Sequence, residues 1–106
     1  MTDLDVFRLS AKACDREFTE QNGHLWLRVA RYENETWHPF TDDSQRWECV
    51  KKLLVGHESW MYLESLGLHS YYFLDVKDEN EIKIACSADE FPARALAELE
   101  SRKGAK

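Results

Sequence analysis

HSYYFLDV, residues 69 to 76, carries four large apolar side chains in a row: Tyr71, Tyr72, Phe73 and Leu74. In an extended chain successive side chains point to opposite faces, so Tyr71 and Phe73 face one way and Tyr72 and Leu74 the other. A sheet with one wet face alternates apolar with polar residues, so a strand apolar on both sides calls for cover on both. SWMYLES (59–65) before it and NEIKIACS (80–87) after it read as strands, set off by Leu66-Gly67-Leu68 and Lys77-Asp78-Glu79. Together they predict a three-stranded antiparallel meander with 69–76 in the middle. In its last strand Ile82, Ile84 and Cys86 share one side and Glu81, Lys83 and Ala85 the other. The course of 56–68 leaves strand pairing there open.

The cover has to come from helices. Leu4, Phe7, Ala11, Cys14 and Phe18 recur at steps of three and four, which predicts a helix from about Asp3 to Phe18, with Thr2 as its cap and Asp3 and Asp5 favourable in its first turn. Glu20-Gln21-Asn22-Gly23 has turn composition, and HLWLRVARY (24–32) alternates as a strand. A second helix begins near Thr41 to Asp43 behind Pro39. Its expected apolar stripe is Trp47, Val50, Leu53 and Leu54, with Lys51 and Lys52 towards its negative pole and Gly56 as the closing cap. A third opens at Ser87-Ala88-Asp89-Glu90, where Ser87 and Glu90 have capping-box spacing, and runs through Phe91, Ala95, Leu96 and Leu99. Pro92 falls in its first turn and is tolerated there. The expected fold is α+β, one domain over residues 1–106, with a small antiparallel sheet of about four strands and helices on both faces.

Composition supports a packed core. The chain has 106 residues, 43% of them hydrophobic, with four Trp, four Tyr and five Phe, which is too much apolar mass for a disordered segment even with 32% charged residues. Its formal net charge of −6 opposes binding to phosphate backbones and anionic lipid. Cys14, Cys49 and Cys86 are odd in number and never fall in a C-x-x-C pair, so they predict packed, reduced thiols and neither a disulfide framework nor a zinc knuckle. No apolar run approaches the ~18 residues of a membrane span, and the N-terminus lacks the basic and apolar regions of a signal peptide. A cytoplasmic protein is the expectation, and Asn34-Glu35-Thr36 is a glycosylation acceptor by letter alone.

Several residues resemble a family of small phage and prophage proteins, the phage ABA-sandwich domain, named for its helix, sheet and helix layers. They are Trp37, Pro39, Thr41-Asp42, Trp47, Val50 and Leu53, and later Ala88-Asp89-Glu90-Phe91-Pro92-Ala93-Arg94-Ala95 leading into Leu96 and Leu99. Phe40-Thr41-Asp42 satisfies the aromatic, hydroxyl and aspartate order of that family, whereas 56–68 is longer than its usual course. The resemblance implies the layered fold and a bacterial host cell, and brings no established chemistry.

Candidate sites follow from residue chemistry. His38, Asp42, Asp43 and His57 could meet as ligands or as an acid–base pair, but no H-E-x-x-H spacing accompanies them, and Thr41, Asp42 or Asp43 serves more simply as a helix cap. None of the serines has a nucleophile-elbow context. Cys49 beside Glu48, with His24, His38, His57 or His69 brought near, would make a nucleophile, and a packed thiol is the commoner outcome. The four glycines are scattered, so there is no phosphate-cradling loop. No catalytic, cofactor or metal site is expected. What remains is acid: Asp75, Asp78, Glu79 and Glu81 crowd the last hairpin, with Lys77 among them, and Asp89, Glu90, Glu98 and Glu100 add to it. Such a surface complements a basic protein partner. The expectation is a non-enzymatic phage accessory protein that binds a protein, inhibiting a host factor or defence complex. The alternative is a self-associating, homo-oligomeric module without inhibitory action.

Overall fold

The computed structural model describes residues 1–28, 34–56, 61–65, 68–75 and 80–103. Among the described residues, three helices, α1 (Asp3–Ala13), α2 (Asp43–Gly56) and α3 (Phe91–Lys103), accompany two antiparallel sheets, each of three strands. The first sheet is β1 (Phe18–Gln21), β2 (His24–Arg28) and β3 (Asn34–Thr36); the second is β4 (Met61–Ser65), β5 (Leu68–Asp75) and β6 (Asn80–Ala85). The α+β class and the meander stand as expected. β5 is its central strand, with Tyr71 opposite Ile84 and Phe73 opposite Ile82. The pairing of β4 is now fixed, from Met61 opposite Tyr72 to Ser65 opposite Leu68.

The start of the chain differs from expectation. α1 stops at Ala13, five residues early, because Asp15 takes a left-handed backbone (φ 56). Arg16 N–H then donates to Ala11 O at 2.9 Å and Asp15 N–H to Lys12 O at 3.0 Å. This pair of bonds closes the helix in the Schellman pattern, with aspartate where glycine is usual. Phe18 therefore opens a strand. Asn22 (φ 54) and Gly23 (φ 76) form the two-residue turn joining β1 to β2, which pair from Phe18 opposite Leu27 to Gln21 opposite His24. Both residues have positive φ, which matches the twist of the flanking strands. The cap of α1 is as expected: Thr2 Oγ1 accepts from Asp5 N–H while Asp5 accepts from Thr2 N–H.

α3 is the central element. Phe91, Pro92, Ala93, Ala95, Leu96, Ala97 and Leu99 are all buried, so it is apolar almost all round, as a helix enclosed by others must be. α1 packs along it, α2 touches it, and β6 lies against it. Its alanines and Ala11 of α1 let the backbones approach closely, and Tyr71 of β5 meets Phe91 with ring centroids 5.2 Å apart. That contact covers the Tyr71 face of the meander, while the side chains of Tyr72 and Leu74 lie outside the described residues. On β6, Ile82 is buried and Ile84 half-buried while Glu81, Lys83 and Ala85 are exposed, as the alternation predicts. β2 adds Leu25 and Leu27, and one hydrophobic core runs from α1 through both sheets to α3. α3 begins at Phe91, four residues after Ser87, and Ser87 Oγ bonds the Glu90 carboxylate at 3.1 Å in the turn that leads into it.

Candidate functional site

The stretch from Thr36 to Trp47 gathers most of the residue types that could carry chemistry, and each is held by a structural partner. Trp37 is 1% exposed, and its indole N–H donates to Ser10 Oγ at 3.0 Å, a hydroxyl that itself donates to Phe7 O. Pro39 is buried, and Thr41 and Asp42 N–H groups both return to His38 O. Asp42 is the cap of α2: its Oδ1 accepts from Gln45 N–H at 2.9 Å. Asp43 pairs with Arg46 at 2.7 Å. The His38 ring shares Nδ1 with Thr41 Oγ1 at 3.0 Å and packs 4.7 Å from Phe7, so it belongs to the aromatic lining with Phe40. His57 lies outside the described residues. Arg46 reaches Phe40 O and the Asp89 carbonyl, and Arg94 of α3 stacks over Phe40 at 4.9 Å while pairing with Glu90 and Asp3. The stretch is therefore a helix entrance that joins α1, α2 and α3.

α2 departs from its expected stripe. The buried row is Gln45, Cys49 and Leu53, at steps of four. Gln45 is admitted to the interior because its amide is fully engaged: Oε1 accepts from His38 N–H at 2.6 Å, and Nε2 donates to Thr36 O at 2.7 Å and Glu35 Oε1 at 3.1 Å. Trp47 and Leu54 sit roughly half a turn of the helix away and are 57% and 49% exposed, with Val50 half-buried between them. The expectation that Trp47 and Leu54 turn inward is corrected: a polar residue holds the core position, so the apolar letters on either side of it belong to the outer face. An indole and a leucine two turns apart on one exposed helix face is the feature that letter patterns alone hide.

Cys49 is fully buried. Its thiol meets that of Cys14, and this hydrogen bond, followed by burial, pushes its pKa well above the usual thiol range, which makes it a poor nucleophile at rest. Burial likewise raises Cys86. Of the acidic set, Asp75 ends β5 opposite Asn80 and Glu81 lies in β6 opposite Leu74 with its side chain exposed, while Asp78 and Glu79 fall outside the described residues. The acids around α3 are largely matched by cations: Glu90 by Arg94, Asp89 by Arg46 at 3.5 Å, and Glu100 by Lys12 and Lys103 at 3.9 and 3.7 Å. Among the described residues no group of three His, Cys, Asp or Glu side chains could hold a metal ion, and no helix is long and apolar enough to cross a membrane. No family model, curated protein or solved structure matches the chain.

Proposed function

We propose that this chain is a non-enzymatic protein-binding module that engages its partner through the outer face of α2. The observation that carries the reading is the exposure of Trp47 and Leu54 on one side of that helix. Tryptophan is among the side chains that most often anchor interfaces, and apolar side chains spaced by two helical turns suit a partner's groove or a partner helix. The net charge of −6 makes DNA and RNA unsuitable partners for the chain as a whole and leaves protein as the fitting class. In the phage or prophage setting that the resemblance implies, that partner is a host factor or defence protein in the bacterial cytoplasm.

The test compares two variants against the parent chain in a quantitative pull-down from host lysate. Trp47→Ser with Leu54→Ser should lose a stoichiometric partner while melting normally. Reversing Asp78 and Glu79 to lysine should leave capture intact at physiological salt. If the charge reversal abolishes capture and the helix variant does not, the acidic hairpin is the binding surface instead. Concentration-dependent sedimentation of the parent chain, abolished in the helix variant, would assign the same face to self-association.

A further inference from the structure

We propose that, when no other partner is bound, the outer face of α2 is covered by the same face of a second copy of this chain, packed antiparallel about a two-fold axis at Trp47. This rests on the reading of that face as the binding surface, and says what occupies the surface until a partner takes it. Two observations choose the occupant. Trp47 and Leu54 stand largely in water on one side of the helix, an apolar face that another apolar face can cover. That face is also its own electrostatic complement. Asp43 comes four residues before Trp47 and Lys51 four residues after it, one turn away in each direction and so on the same side of the helix. The Asp43 side chain is 92% exposed although Arg46 bonds it at 2.7 Å, and Lys51 is exposed. Arg46 also serves Asp89 at 3.5 Å, so one cation is shared by two acids and the start of α2 keeps an excess of negative charge.

A two-fold contact presents the same patch from both sides, so whatever residue i meets on the second copy, that residue's counterpart meets i in return. With the helices antiparallel and the axis at Trp47, Asp43 of each copy stands level with Lys51 of the other. Two opposite-charge pairs then flank two indoles in contact. A parallel arrangement would set Asp43 level with Asp43 and Lys51 level with Lys51, so charge selects the antiparallel one. Leu54 lies two turns beyond Trp47 and extends the apolar contact towards both ends. A contact between two helices is small beside the roughly 1,200–2,000 Å² that stable complexes bury, so the pairing is weak enough for a partner to displace. The free chain thus keeps its indole covered, and a partner competes with the second copy for one surface.

Sedimentation velocity of the whole chain over a range of concentrations tests the pairing. The parent chain should pass from monomer to dimer, and Trp47→Ser with Leu54→Ser should stay monomeric. Asp43→Lys and Lys51→Asp each set like charges level with one another twice per dimer, so each alone should weaken self-association by about three- to tenfold at low salt. Mixed together, the two variants restore both opposite-charge pairs and should form a heterodimer about as tight as the parent dimer, which also shows that each variant folds. A mixture no tighter than either variant alone, or a parent chain that stays monomeric up to its solubility limit, would overturn the proposal. In the second case, loss of the lysate partner by the double serine variant would still support the face as a binding surface, so the two readings fail separately.

Discussion

Gln45 occupies a position where the helical period of α2 asks for an apolar side chain, and three hydrogen bonds make it fit. Replacing it by leucine keeps the volume but orphans His38 N–H and Thr36 O. Both groups are only part-buried, so each sits at the low end of the roughly 1–3 kcal/mol that an unpaired buried group costs, and Gln45→Leu should destabilise by about 2 kcal/mol. Trp47→Ala should change stability by no more than about 0.5 kcal/mol, because the indole is mostly in water. Trp37→Ala, which empties a sealed site and strips Ser10 of its donor, should cost about 3–5 kcal/mol. Urea unfolding of the three variants checks the ranking. A large loss at Trp47 with a small one at Trp37 would reverse the assignment of inner and outer tryptophans.

Where each element starts and stops depends on single residues of unusual backbone geometry. Gly23 at φ 76 has nothing within 4 Å of an added methyl, so Gly23→Ala tests backbone conformation without a clash. A Cβ in the left-handed region costs about 1 kcal/mol, and the expected loss of stability is of that size. Asp15→Ala should lose a similar amount, since alanine lacks the short polar side chain that eases that region and also gives up the Lys52 pair. Thermal melting that shows neither loss would mean these turns relax freely. The same residues explain what the letters revealed. The meander, the cap at Thr2, the alternation on β6 and the helix entrance at Asp42 were legible because each rests on a local period or a cap chemistry. The end of α1 was not, because Asp15 is not a glycine and Phe18 happens to continue the helical spacing of Cys14. Asn22-Gly23 was the available signal for a hairpin, and taking the helix on to Phe18 left too little chain before the turn for β1. The outer face of α2 was illegible for a different reason. Only the bond that Gln45 accepts from His38 and those that it donates to Thr36 and Glu35 tell that glutamine lies inside, and those partners are fixed by folding rather than by spacing.

At the scale of the whole molecule, charge decides how the fold responds to acid. Asp5 has its pKa lowered chiefly by the backbone hydrogen bond from Thr2, and then by the Thr2 side chain; Glu20 has its own lowered chiefly by the hydrogen bonds from Arg8. Both carboxylates therefore hold fewer protons in the folded chain than in the unfolded one at the same acidic pH. Linkage then makes stability fall as pH falls: the contribution is complete above their ordinary values of 3.8 and 4.5, and is lost as pH drops through the lower folded values. These groups are exposed, so salt screens the effect, and the acid limb should be steeper at low ionic strength. Arg8 ties α1 to β1 through Glu20 and also pairs with Asp5 at 3.1 Å, which makes it the common partner. Arg8→Met keeps the aliphatic stem and removes the charge. Melting temperatures of the parent chain and this variant, taken in steps from about pH 6 down to about pH 3, should converge as the pH falls, with the variant less stable near neutrality and close to the parent in acid. If the gap between them stays constant over that range, Arg8 acts through packing alone, and the acid sensitivity of the fold has to come from other carboxylates.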